Sequence, residues 1–473
     1  MRSRAALVFA LCLLASAHPL VAQPASRIAG SWIGTLQIGQ AQLRIVFNVA
    51  ADSAGTLSAT LDSPDQGATG IPVSGVVLTG DSLKLGVLSI GGGYAGRMEA
   101  GDTAITGTWM QSGMSLPLAL KRTMKRPTVA RPQTPGHPYP YREEDVSYES
   151  LTSGVRLAGT LTIPPGNGRF PAIILISSSG AQDRDETIFG HKPFLVLADD
   201  LTRRGFAVLR VDDRGVGGST VSTMESTTED LVKDVLAGVR YLKGRAEINA
   251  ARIGLVGHSE GGLIAPLAAA QSKEISFIGL LAAPGLPGDH ILLRQTNDVL
   301  RSTGASDTDI ERAHTTNAQI YEMMKSEKDS ALLAQKVRAI LTQSGAGESV
   351  DGQEKASGSQ TAIDGQIAMV TSPWFRFFVG YDPRPALRSV TCPVLVLHGE
   401  KDIQVGTVEN QKEILKALGE GGNSRVRAAI MPGLNHLFQS AQTGSIGEYG
   451  TLEETFSPAA LEAVGDWVAE VTR

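Results

Sequence analysis

Largely apolar runs recur at 171–176, 206–211, 252–256 and 276–282, and stretches with helical spacing separate them. Runs that are apolar on both faces suit strands buried on both sides, and their alternation with helices predicts a parallel sheet covered by helices. After Thr228, Leu231, Val232, Val235, Leu236, Val239 and Leu242 fall on one side, the spacing of a helix laid across a sheet. A leading hairpin is predicted over 145–148 and 155–163.

Within this frame, Gly257-His258-Ser259-Glu260-Gly261 lies between the run Ile253-Gly254-Leu255-Val256 and a helix-like run over 263–270. A G-x-S-x-G pentapeptide therefore falls where a buried strand turns into a helix. A serine hydroxyl is a poor nucleophile, and a tight turn flanked by glycines presents it without clashing side chains. With 53 glycines in the chain the letters alone are weak, and the strand-turn-helix context is what makes Ser259 the candidate nucleophile.

Chain order directs the search for its partners, because this kind of site expects an acid and then a histidine downstream, each after a later strand. Cys392-Pro393-Val394-Leu395-Val396-Leu397 reads as a buried strand, followed by the loop His398-Gly399-Glu400-Lys401-Asp402. Asp402 is the predicted acid. A last strand over Val426–Met431 is followed by Pro432-Gly433-Leu434-Asn435-His436, and His436 is the predicted base. Of the eight histidines, His18 falls in an N-terminal leader, His137 in a proline-rich stretch, and His290 and His314 in a helical insertion. His258, within the nucleophile's own turn, is expected to point elsewhere. His398 reads as a structural loop residue, and His191 is a candidate pocket-lining residue. Asp382, the rival acid, precedes the strand whose end should carry the acid.

Backbone N–H groups must also receive the negative charge of a tetrahedral intermediate. One is expected from Glu260, directly after the serine. The other is expected from the loop 177–185 after the strand Ala172-Ile173-Ile174-Leu175-Ile176, with Ser179 the leading donor and Gln182 a secondary one. Asp183, Arg184 and Asp185 read as a brace for that loop.

These residues resemble bacterial α/β-hydrolase carboxylesterases. The resemblance covers about 144–473 and rests on several segments in order: Ser179-Gly180-Ala181-Gln182-Asp183-Arg184-Asp185, Asp212-Asp213-Arg214-Gly215-Val216-Gly217, Gly257-His258-Ser259-Glu260-Gly261 and Pro373-Trp374-Phe375-Arg376-Phe377-Phe378. Tyr381-Asp382-Pro383-Arg384-Pro385, His398-Gly399-Glu400-Lys401-Asp402, Gly433-Leu434-Asn435-His436 and Phe456-Ser457-Pro458 complete it. It implies an α/β-hydrolase fold, cleavage of short acyl esters, and the triad Ser259, Asp402 and His436. The chain departs from that pattern at Ser178, where the family's loop has glycine, and at Ala181, where it has proline.

The remaining chain divides by texture. Arg2 and Arg4, an apolar stretch over 5–15, and Leu20-Val21-Ala22 before Gln23 read as a secretory signal over 1–22, too short to span a bilayer, and predict a secreted or periplasmic protein. Cleavage would remove Cys12 and leave Cys392 alone, a small core hydrophobe with no disulfide partner. Residues 26–122 show short alternating runs such as Leu43, Ile45, Phe47 and Val49 between Gly, Asp and Ser turns, predicting a small all-β barrel or sandwich plugged by Trp32 and Trp109. Five prolines at 127, 132, 135, 138 and 140 mark a linker over 123–143. The hydrolase unit follows over 144–473, with a helical lid inserted at about 285–386 that carries Trp374, Phe375, Phe377 and Phe378. Deletion of 23–122 is expected to leave turnover of short soluble esters largely intact.

A net charge of −5 and a pI near 6.0 give no basic footprint for nucleic acid or anionic membranes. There is no H-E-x-x-H and no P-loop, and Thr220 breaks a G-x-G-x-x-G, so no metal or nucleotide cofactor is predicted. The expected partner is a small-molecule ester. The alternatives are a serine peptidase, aminopeptidase or acyltransferase on the same fold, and an inactive glycan- or lipid-binding protein.

Overall fold

The computed structural model describes residues 27–38, 41–52, 55–66, 68–111, 114–124, 129–221, 225–343 and 356–473. Residues 1–26 with Cys12 and His18, Pro127, and most of the Gly/Ser/Gln-rich piece at 345–360 lie outside the described residues.

The N-terminal unit is one antiparallel sheet. Its strands are β1 (Gly30–Ile38), β2 (Ala41–Ala51), β3 (Leu57–Ser63), β4 (Ala68–Pro72), β5 (Gly75–Thr79), β6 (Ser82–Val87), β7 (Gly92–Met98), β8 (Ala104–Gln111) and β9 (Met114–Thr123). The order β4-β3-β2-β1-β9-β8-β7-β6-β5 puts two consecutive strands at opposite edges. The sheet curls into a half-barrel until those edges meet at a corner, where Val73 N–H donates to the Ala59 carbonyl and Ser74 N–H to that of Gly86. Alternation sends Trp32, Phe47, Leu85, Tyr94, Trp109 and Leu120 inward, all essentially fully buried. Phe47 packs against both Tyr94 and Trp109, and the Trp32 indole donates to the Ile28 carbonyl, so aromatic side chains fill the interior.

The second unit holds an eight-stranded sheet of β10 (Arg142–Glu149), β11 (Arg156–Ile163), β12 (Phe170–Ile176), β13 (Ala207–Val211), β14 (Ile248–His258), β15 (Phe277–Leu281), β16 (Val394–Gly399) and β17 (Val426–Met431). The order is β10-β11-β13-β12-β14-β15-β16-β17. The leading hairpin is antiparallel, and every pair from β13 to β17 is parallel. Helices Thr228–Lys243, Gly261–Gln271 and Thr407–Glu420 cover one face, and Pro193–Arg203 and Pro458–Val471 the other. Thr227 starts the first of these with a capping box, its hydroxyl accepting from Asp230 N–H while the Asp230 carboxylate accepts from Thr227 N–H. The insertion between β15 and β16 is helical, with its own core of Tyr321, Leu333, Val337, Trp374, Phe375 and Val379.

The two units meet beside the last loop of the larger sheet. A Cβ on Gly450 would overlap the Asp65 carbonyl oxygen of the half-barrel, and Arg131 clamps the same segment by donating to the Gly450 and Leu452 carbonyls, each at 2.7 Å. Gly450→Ala is therefore expected to cost about 1–3 kcal/mol through overpacking. Calorimetry should register this as a fall of several degrees in the unfolding midpoint. An unchanged midpoint would show that the seat is not a stabilising contact.

Candidate active site

Ser259, Glu260, Asp402, His436 and the loop 177–185 all follow the carboxyl ends of parallel strands, where loops leave the sheet. Ser259 follows β14 directly and adopts a left-handed backbone, φ 51°, unusual for a residue with a Cβ. Its N–H donates to the Leu281 carbonyl at 2.8 Å, tying the turn to β15. The flanking glycines permit this turn, since a Cβ on Gly257 would overlap the Gly261 carbonyl and one on Gly261 the Ile176 carbonyl. A strained backbone of this kind costs on the order of 1–3 kcal/mol and persists because its surroundings over-determine it. Ser259 is half-buried, and its hydroxyl makes no hydrogen bond among the described residues.

The loops after β16 and β17 bring Asp402 and His436 together, with His436 Nδ1–H donating to Asp402 Oδ2 at 2.8 Å and both residues buried. Asp402 Oδ1 accepts the N–H groups of Gln404 and Val405 at 2.8 and 3.0 Å. Burial alone would push this carboxyl upward, but His436 and the two N–H groups outweigh it and hold Asp402 below the usual carboxylate range. Asp402 is thus held as an anion.

The loop after β12 is fastened from several sides. Arg184 forks onto both carboxylate oxygens of Asp212, and Asp185 pairs with Arg210 and Lys192, so the charged cluster is the brace its composition suggests. Ser178 N–H donates to Glu186 and Gln182 N–H to Asp213, while the Gln182 side chain turns back to the Ser179 carbonyl. Gln182 therefore presents no open main-chain donor. The N–H groups of Ser179 and Glu260 make no hydrogen bond among the described residues.

Glu260 is buried, with its oxygens accepting from the Trp374 indole at 2.9 and 3.0 Å and Oε1 from the Thr228 hydroxyl at 2.9 Å. Burial pushes its carboxyl upward against those hydrogen bonds. Trp374 belongs to the insertion, so this contact ties the insertion to the residue after Ser259.

The rival residues have other duties. Asp382 forks onto Arg384. His398 is buried and donates from Nε2 to the Ala283 carbonyl. Cys392 is only half-buried by its surroundings as a residue, yet its thiol is desolvated and pushed up to about 11, which leaves it protonated and unreactive. His191 corrects its expected place at the pocket wall: it is fully buried, its Nε2–H donating to the Tyr449 carbonyl at 2.9 Å and its Nδ1 accepting from the Thr455 hydroxyl at 2.8 Å.

Burial pushes His191 down to about 4, so it is neutral in the fold, whereas the unfolded chain takes up a proton below about pH 6.5. Its stabilising contribution is complete above that range and is lost as pH falls from about 6.5 toward 4. The gap in urea midpoint between wild type and His191→Gln should therefore favour wild type near pH 7 and narrow as acid is approached. A gap independent of pH would show that His191 is not held neutral.

His258 and Glu186 were not singled out by sequence. His258 does not point away from the site: it lies between Glu186 and the main chain of His436, and its ring centroid is 4.9 Å from that of His436. Its only sequence signal is its place next to Ser259, and that of Glu186 is its place directly after the Asp183-Arg184-Asp185 brace. Among the described residues no group of three or more His, Cys, Asp or Glu is placed to hold a metal ion.

A doubly covered parallel sheet with a serine turn after its central strand, and an acid–imidazole pair on the loops after its last two strands, defines an α/β hydrolase. Residues 153–434 match the family model described as X-Pro dipeptidyl-peptidase (S15 family), and the chain belongs to that family. Its relatives include the esterase EstD of Thermotoga maritima, 26% identical over 331 residues, spanning 70% of this chain and 67% of that one. A probable 2-oxo-3-(5-oxofuran-2-ylidene)propanoate lactonase of Bradyrhizobium sp is 32% identical over 143 residues, 28% of this chain and 54% of that protein. Among solved structures, a Pyrococcus furiosus esterase superposes with a TM-score of 0.43 at 18% identity, covering 74% of this chain and 100% of that one. The protein is a hydrolase, and no helix among its described residues is long and apolar enough to cross a membrane.

Proposed function

We propose that the protein is an exported serine carboxylesterase acting on short acyl esters through an acyl-enzyme. The observation that carries this reading is the left-handed turn at Ser259 lying on the strand edge that also presents the buried His436–Asp402 pair. In the proposed cycle His436 Nε2 takes the Ser259 proton as Oγ attacks the ester carbonyl, and the N–H groups of Glu260 and Ser179 receive the oxyanion. Collapse breaks the C–O bond, and His436 returns the proton to the departing alcohol. Water, activated by the same imidazole, then attacks the acyl-enzyme and frees the acid. A preference for short acyl groups is supported by the lid aromatics Trp374, Phe375 and Phe378, which pack as one buried cluster up to Glu260. Export rests on the reading of residues 1–22.

The family description favours a second reading, a peptidase that binds a free amino terminus. Such a site needs a carboxylate open to the substrate, and the Glu260 oxygens beside the serine already accept from Trp374 and Thr228. This arrangement favours esters. The reading is tested by mass spectrometry after a fluorophosphonate probe, alongside nitrophenyl esters of increasing acyl length and aminoacyl anilides. Labelling at Ser259 with turnover highest on short esters is the expected result. Labelling elsewhere ends the proposal, and faster turnover of the anilides transfers it to the peptidase.

A further inference from the structure

Three catalytic segments far apart in the chain converge on one buried ion pair. Glu186 is 2% exposed and sits in a left-handed backbone conformation, φ 52°. Its Oε1 accepts Ser178 N–H at 2.7 Å, one residue before the open Ser179 donor, and His258 Nδ1–H at 2.8 Å. His258, adjacent to Ser259 and 4% exposed, donates from Nε2 to the His436 carbonyl at 2.9 Å. A carbonyl can only accept, so Nε2 carries a proton; with Nδ1 facing a carboxylate, both nitrogens are donors and the ring is an imidazolium. Burial opposes that charge, but the Glu186 carboxylate and, more distantly, Asp402 outweigh it and raise His258 above its ordinary value.

We infer that Glu186 and His258 are a positioning pair that holds the oxyanion loop, the nucleophile turn and the His436 loop in one register. The inference rests on the proposed roles of Ser259 and His436. The main chain of the base is tied to the residue next to the nucleophile, so the spacing between imidazole and hydroxyl is set through a single hydrogen bond. The same carboxylate anchors the loop that carries Ser179, so oxyanion donor and nucleophile move together. Misplacement by about 1 Å in such a constellation can cost about 10²-fold in rate. The pair also adds a field. The groups facing His258 are Glu186, Asp402 and His436, with the Phe438 ring at its edge, and the His258 cation is the near charge of its pair to the base.

Glu186→Gln keeps the shape but removes the counter-charge; with His258 neutral, one amide group cannot both accept from Ser178 N–H and donate to His258 Nδ1 at the position Oε1 holds, so one of the two ties is lost. His258→Gln removes the ring. With nitrophenyl acetate, both variants are expected to lose about 10- to 100-fold in kcat with KM changed by less than about threefold. The acid limb of kcat/KM should move to higher pH in both, since the positive charge on the ring 4.9 Å from that of the base is gone. Restoring a carboxylate with Glu186→Asp should recover part of kcat. A purely structural role would lower the unfolding midpoint without moving the acid limb. Folded Glu186→Gln with wild-type kcat and an unmoved limb overturns the inference, whatever His258→Gln does. Ser259→Ala, run in parallel, separates the two failures: an active Ser259→Ala sinks the esterase reading, whereas an inactive one beside a wild-type-like Glu186→Gln sinks only the positioning pair.

Discussion

Ser259→Ala is expected to lower kcat on short nitrophenyl esters by about 10⁵-fold, equivalent to a barrier raised by about 7 kcal/mol. The turn places no second nucleophile beside it: Cys392 opens the approach to a different strand and keeps its thiol protonated, and Ser178 and Ser179 belong to the fastened loop after β12. The fold should survive the change, because Ser259 contributes its main chain to the turn through the Leu281 hydrogen bond while its hydroxyl makes none among the described residues. Alanine in a left-handed conformation is no more strained than serine there, so the unfolding midpoint should move little. Turnover within tenfold of wild type in the folded variant would remove Ser259 from the mechanism. A residual rate above the uncatalysed one is expected from the oxyanion donors and substrate binding alone.

Asp402→Asn is expected to cost about 10⁴-fold in kcat for a reason the hydrogen bonds make specific. Two main-chain donors, Gln404 N–H and Val405 N–H, converge on Oδ1, so the amide of asparagine must place its oxygen there and its NH₂ toward His436. That NH₂ can only donate. His436 Nδ1 would have to accept, the ring proton would move to Nε2, and the imidazole would lose the lone pair that takes the serine proton. The variant should keep its KM, fold normally, and still react with a fluorophosphonate, only far more slowly. A loss below about tenfold would mean that Asp402 does not set the tautomer of His436.

Much of this arrangement was legible in sequence because its causes are local. A strand buried on both faces must be apolar throughout, and a helix lying on a sheet must be apolar on one side, so the order of elements from β12 to β15 could be read from spacing. Ser259, Asp402 and His436 were reachable because each stands on the loop that follows a strand, and strand ends are marked by the change from apolar residues to Gly, Pro and Asp. Asp382 could be set aside on order alone, and the structure adds that it is committed to Arg384. The half-barrel was legible as alternating β structure, but whether it would close on itself or stack as two sheets depends on which edges meet. That is decided at the corner of Val73 and Ser74.

The residues that sequence reasoning misplaced share one property: their partners lie far along the chain and carry no periodic mark. His191 read as a loop histidine near the pocket, yet Tyr449 and Thr455 enclose it from a segment after the last strand. Gln182 stood on the loop expected to supply oxyanion donors, but its main-chain N–H is taken by Asp213, 31 residues further on.

The sequence by itself determined the order of strands and helices, the turn that exposes a serine, and the loops where an acid and a base could stand, because these follow from side-chain size, polarity and near-neighbour periodicity. Tertiary structure alone decided that Glu186 would reach His258 and that His258 would hold the main chain of His436. Those meetings depend on sheet register and loop closure across 72 and 178 residues of chain, distances over which no local preference acts.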